Sequence, residues 1–135
     1  MPRVQANPMN VLSMEAGEDL SSSQYYAVQI DATAREVKVA GTPAAEGTHV
    51  LGVLQNKPTE GLAASIATAG TSRLTMAANC SIGEKIMSSS GKGTPVDGDT
   101  KSVIGIALSA NAEGDGGVIE VLITPGGVGQ ADESN

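Results

Sequence analysis

The run Val103-Ile104-Gly105-Ile106-Ala107-Leu108 decides the fold, because the chain carries an earlier version of it, Val50-Leu51-Gly52-Val53-Leu54. Each version runs on to a Glu-Gly pair, Glu60-Gly61 and Glu113-Gly114, and the offset is 53 residues for the Val, the Gly and the Glu-Gly alike. A β-branched run broken by one glycine is a strand with a bulge, or with a neighbouring backbone close by, at that glycine. Gly52 and Gly105 are therefore expected to be structural glycines marking equivalent bends in two similar halves.

A second echo supports the duplication. Arg73-Leu74-Thr75-Met76-Ala77-Ala78 repeats Val11-Leu12-Ser13-Met14-Glu15-Ala16 at an offset of 62. Between the echoes, Tyr25–Ile30 and Glu36–Ala40 read as a hairpin, Leu62–Thr68 as a strand, and Ser81–Ile86 as a turn entering a strand. Ser88–Thr94 reads as a flexible tip, and Val118-Ile119-Glu120-Val121-Leu122-Ile123 as the closing strand. Short strands separated by Gly, Asn, Asp and Ser turns describe an all-β domain, a small β-barrel or β-sandwich with an internal two-fold pseudo-repeat. The expected organisation is an extended N-terminal arm over 1–10 and a single β-domain over 11–125, with half-repeats at about 11–70 and 73–125. A disordered acidic tail over 126–135 completes it. Pro2, Asn7, Pro8 and Asn10 keep the arm from being helical. It is expected either to be disordered or to order on a neighbouring subunit by adding a strand.

Composition narrows the function. The 135 residues include no Phe, no Trp and only Tyr25 and Tyr26, against 28 Val, Ile and Leu and 18 Ala. Aromatic rings normally supply much of a core's buried area, so this core relies on thin aliphatic contacts and on partners. Fifteen acidic and eight basic residues give a net charge of −7, and the basic ones are scattered singly from Arg3 to Lys101. Nucleic-acid binding calls for a basic stripe and aromatic platforms, so no nucleic-acid partner is expected. No membrane partner is expected either, because no long apolar span occurs. The N-terminus lacks an apolar signal region, and the single Cys80 fits synthesis in a reducing cytoplasm.

No catalytic, cofactor-binding or metal-binding set is found. His49 is the sole histidine and Cys80 the sole thiol, so neither a nucleophile–base pair nor a zinc site can be assembled. Gly91-Lys92-Gly93-Thr94 lacks the first glycine of a phosphate loop and has Gly93 where Ser or Thr must follow the lysine. Asp97-Gly98-Asp99 begins like a calcium loop, but Lys101 stands at a ligand position. Asn111, Glu113 and Asp115 could offer oxygens at a turn, for which a solvated acidic turn is the simpler account. A non-enzymatic protein is expected.

The order of elements resembles a known family. A Gly turn feeds a strand at Ser81-Ile82-Gly83-Glu84-Lys85-Ile86, and a Gly-rich hairpin follows. Then come the Ile-Gly-Ile-Ala strand, a Gly-Asp/Gly-Gly turn and the closing Val-Ile-Glu-Val-Leu-Ile strand. Over residues 10–124 this resembles the capsid cement, or head decoration, proteins of tailed bacteriophages. The resemblance implies a virion protein, made in the host cytoplasm, that binds the outer face of the major capsid protein lattice and stabilises the expanded head. It implies assembly with copies of itself as a dimer or trimer, of which the aromatic-poor composition favours the trimer, since such a domain needs neighbours to bury its apolar edges. It also implies an arm that pairs with a capsid strand, which suits Pro2, Arg3, Val4, Gln5, Asn7 and Pro8. The alternative is a β-barrel adhesion or ligand-binding module on a phage or cell surface.

Overall fold

The computed structural model describes residues 9–31, 35–40, 50–96 and 103–124. Among them lie nine strands and no helix: β1 (Asn10–Ala16), β2 (Ala27–Ile30), β3 (Glu36–Val39), β4 (Gly52–Leu54), β5 (Ala63–Thr75), β6 (Lys85–Ser89), β7 (Lys92–Pro95), β8 (Val103–Ala107) and β9 (Val118–Ile123). The all-β class read from the sequence holds. The strands are hydrogen-bonded in the order β1-β3-β2-β4-β5-β9-β8-β6-β7, with β1 also pairing β5.

That last pairing closes a circuit, β1-β3-β2-β4-β5, in which β1 lies parallel to β3 and every other neighbour is antiparallel. A second circuit has the same plan. β5 pairs β9, β9 pairs β8, β8 pairs β6 and β6 pairs β7, all antiparallel, and the parallel bridge Met76↔Gly93 joins β7 back to the end of β5. The first stretch of β5 thus ends one circuit and its last stretch begins the next.

The duplication extends to single backbone hydrogen bonds. Tyr25 N donates to Leu54 O at 2.8 Å, as Gly83 N does to Ala107 O at 2.8 Å; Leu54 N returns a bond to Tyr26 O, as Ala107 N does to Glu84 O. Gln55 N–Ser65 O matches Leu108 N–Glu120 O, and Gly17 N–Val37 O matches Ala77 N–Gly93 O. Tyr25 and Gly83 also share a left-handed backbone, with φ of 68° and 91°. The bonds correct the matching drawn from sequence at two places. Ala16 N–Leu62 O and Gly61 N–Ala16 O correspond to Met76 N–Gly117 O and Gly116 N–Met76 O. Met76 therefore takes the place of Ala16 and not of Met14, and Gly116 takes that of Gly61 in place of Gly114. Gly116 and Gly61 have φ of 97° and 88°, and the longer acidic turn before Gly116 absorbs the slip.

Two further expectations are revised. β5 runs unbroken for 13 residues, where the sequence suggested separate strands before and after Gly70. Gly70, at φ 92°, bends the strand without ending it as its partner changes to β9. Ser88–Thr94 is no flexible tip but a hairpin in full register, Ser89↔Lys92 through Ile86↔Pro95. Ser90 and Gly91 both have positive φ, 53° and 90°, the signature of the two-residue turn whose twist matches antiparallel strands.

Alternation along the shared strands builds two cores back to back. Val28, Leu54 and Ile66 point into the first circuit, with Ala16, Leu20, Val37 and Ala64. Their chain neighbours Ala27, Val53 and Ala67 are buried in the other cluster, with Leu74, Met76, Ile86, Ile104, Ile119 and Val121 of the second circuit. One layer of backbone therefore serves as wall of the first core and floor of the second. The two cores are tuned in opposite directions at one matched position. Ala16↔Val37 in the first circuit corresponds to Met76↔Gly93 in the second, a small-large pair against a large-small one. A Cβ on Gly93 would lie 2.6 Å from Met76 Sδ and 2.7 Å from Leu74 Cδ2, so the space Val37 fills on its strand is filled there from across the core.

Candidate functional site

Gly52 and Gly105 occupy matched places in β4 and β8, facing Val28 of β2 and Ile86 of β6. A Cβ on Gly52 would overlap the carbonyl oxygen of Ala67 and lie 2.8 Å from Ile66 Cγ2. A Cβ on Gly105 would overlap the carbonyl oxygen of Leu122 and lie 3.1 Å from Val121 Cγ2. Neither glycine has a φ in the left-handed region. The requirement is steric, a neighbouring backbone too close to admit any side chain.

The arm residues Pro2, Arg3, Val4, Gln5, Asn7 and Pro8 lie outside the described residues, as do His49, the Asp97–Lys101 turn and the tail from 126. What the structure describes is the root of the arm. Asn10–Glu15 pair with Ala69–Ala63 of β5, with a register shift between Asn10 and Val11. Met9, Val11 and Leu12 are 40%, 52% and 39% exposed, so both faces of the strand are open where it leaves the arm. Farther in, Glu15 and Ala16 pair with β3 and the strand becomes part of the first wall.

Among the described residues, Cys80, Asn111 and Asp115 take part in structural contacts. Cys80 is buried at the end of the second core, bridged to Asn111 by reciprocal backbone bonds of 3.0 Å. Burial pushes its thiol above the ordinary value, opposed by the Asn111 backbone N–H and reinforced by the Glu84 carboxylate. The thiolate that a nucleophile needs is thereby disfavoured. Asn111 is itself buried; its amide donates to Ala78 O at 2.9 Å and Gly114 O at 3.0 Å, and its Oδ1 accepts from Glu113 N at 3.1 Å. Gly117 has to be glycine because a Cβ there would run into that amide. Asp115 pairs with Lys92 at 2.7 Å, which raises the Lys92 ammonium's pKa, chiefly through that hydrogen bond. Asn111 is therefore a turn staple, and among the described residues no three His, Cys, Asp or Glu converge as a metal site would require. Sequence reading missed the structural use of Asn111; the Asn-x-x-Gly-x-x-Gly spacing to Gly114 and Gly117 was the available signal.

These features define a duplicated all-β body whose first strand starts at Asn10 with exposed apolar side chains. The fold is similar to that of a phage head fiber base. The solved structure is the crystal structure of the N base of head fiber gp8.5 in bacteriophage phi29. It matches at a TM-score of 0.61 and 15% identity, over 87% of this chain and 95% of that one. No family model matches the sequence, and no curated protein matches it either. The similarity is therefore one of fold. No helix among the described residues is long and apolar enough to cross a membrane.

Proposed function

We propose that this chain is a structural protein of a bacteriophage virion that binds the outer surface of the major capsid protein lattice and stabilises the expanded head. The observation that carries the reading is the fold shared along nearly the whole chain with a phage head fiber base. The strand order that suggested a head decoration protein from sequence supports it independently. In this reading the chain acts without catalysis, cofactor or metal, and its partners are the capsid and other copies of itself. A trimer is preferred over a dimer, because the aromatic-poor body gains most from neighbours that cover its exposed apolar strands. Many modest contacts repeated over a lattice make tight decoration attainable without any one strong site. The exposed root Met9-Val11-Leu12 suits an arm over residues 2–10 that adds a strand to the capsid surface.

Co-sedimentation with undecorated heads tests this. The full chain is expected to pellet with heads, and the chain lacking residues 1–10 to bind more weakly. If neither form pellets with heads, the reading fails; retention on a glycan or cell surface instead would favour the adhesion alternative. If the shortened chain binds as well as the full one, only the role of the arm falls.

A further inference from the structure

The matched halves have matched outer faces, and only one of them is covered. In the first half, Ala27, Val53 and Ala67 form a row across β2, β4 and β5, in register, and all three are buried against the second core. The corresponding row in the second half is Lys85, Ile106 and Leu122 across β6, β8 and β9, also in register. Lys85 is exposed, Ile106 half-buried and Leu122 37% exposed. Along the same face Leu108 and Val118 are 42% and 52% exposed, although β9 otherwise alternates cleanly between buried and exposed positions. Outward positions of a solvated sheet are normally polar, so four apolar residues on this one leave it unfinished.

We propose that this face is an interface between copies of this chain. Two observations select a second copy as its occupant. The equivalent face on the first half is sealed by this same polypeptide, so the row geometry has already been matched to a surface of its own kind. The charges on the face are also self-complementary. Arg73 stands directly opposite Glu120 between β5 and β9, yet the two form no ion pair with each other. Arg73 instead lies over the Tyr25 ring at 5.9 Å. A shallow hollow lined by Thr71, Arg73, Val118 and Glu120 lies beside this pair. A neighbouring copy that sets its glutamate against this arginine and an apolar side chain into this hollow completes the pattern of a desolvated centre with charge complementarity. The proposal rests on the assignment of copies of this chain as partners and names the surface they use.

Sedimentation equilibrium of the free protein, with no heads present, tests it. The wild-type mass is expected to be a multiple of the 13.5 kDa chain. Leu122→Arg and, separately, Val118→Lys should each shift it toward a single chain while keeping the wild-type far-UV spectrum and melting temperature. The two sites lie at opposite ends of β9, so a folding defect in one variant leaves the other informative. Arg73→Glu should weaken association by about tenfold, within the range of interfacial charge pairs, and Arg73→Glu with Glu120→Arg should restore it. A wild-type mass of one chain, or a folded variant of Leu122 or Val118 with the wild-type mass, overturns the proposal. Assemblies that form in solution but do not pellet with heads sink the head-binding reading and leave this interface standing. Heads decorated by single chains do the reverse.

Discussion

Replacing Gly105 tests whether the echoed strand is structural or faces a partner. A methyl group there meets the Leu122 carbonyl oxygen and lies 3.1 Å from Val121 Cγ2, in a strand flanked on both sides by β6 and β9. Overpacking a fixed site costs about 1–3 kcal/mol, and the stiffer unfolded chain returns about 0.4–1 kcal/mol. Gly105→Ala should therefore lose about 1–2 kcal/mol net. Gly105→Val adds two methyls against a main-chain atom that can yield only by separating β8 from β9, and should lose more than about 3 kcal/mol by the same overpacking argument. With Tm moving about 4 °C per kcal/mol in a chain of this size, the expected drops are about 4–8 °C for Ala and more than about 12 °C for Val. Thermal melting followed by circular dichroism gives the stability, and co-sedimentation of the folded fraction with heads gives the binding. Gly52→Val should behave alike, since its Cβ meets the Ala67 carbonyl oxygen in the same way. If Gly105→Val melts within about 2 °C of wild type and loses only head binding, the strand faces the partner and the steric argument is wrong.

Other consequences can be checked on the same footing. Gly93→Val alone should overpack the second core, and Met76→Ala alone should leave a cavity costing about 2–5 kcal/mol. Made together they recreate the Ala16↔Val37 pair of the first circuit, and a double-mutant cycle should show favourable coupling of about 1–3 kcal/mol. Gly61→Ala and Gly116→Ala meet no atom within 4 Å, so each should cost only the left-handed backbone penalty, about 1–2 kcal/mol, and the two losses should agree within error. The raised folded-state pKa of the Cys80 thiol means that its stability increment is complete below the unfolded value of about 8.5 and is lost as pH rises toward the folded one. Urea midpoints between pH 7 and 10 should therefore fall with pH in wild type, and less steeply in Cys80→Ala.

The all-β class was legible because it depends on local pattern, as in the alternation along Val118–Ile123. The hairpin at Ser88–Pro95 was not, because its turn uses Ser90 at φ 53°, a residue with weak preference for the left-handed region. Gly93 there marks close packing against Met76 and not flexibility. The continuity of β5 through Gly70 was hidden for a related reason, since a glycine that bends a strand and one that ends it look alike in sequence. The slip between Gly114 and Gly116 shows how a Glu-Gly pair can recur without keeping its structural place; the hydrogen bonds to Ala16 and Met76 fix the correspondence, and dipeptide identity does not. The unfinished face on β9 was visible only as an apolar run, because exposure of Leu122 depends on which strands flank it.

The back-to-back arrangement also orders events during synthesis. The first circuit is complete once β5 has emerged as far as Ala69, so it can close before any of β6 to β9 is made. In a chain cut off at that point Ala27, Val53 and Ala67 would lack the side chains of the second half that cover them in the folded protein. The second half has no such independence, because its core includes side chains supplied by the first. Folding is therefore expected to run from the first half to the second, and a chain stalled between the two steps would leave those apolar side chains open to its neighbours. Slow translation through residues 76–103 should therefore raise aggregation more than the same delay placed after residue 124.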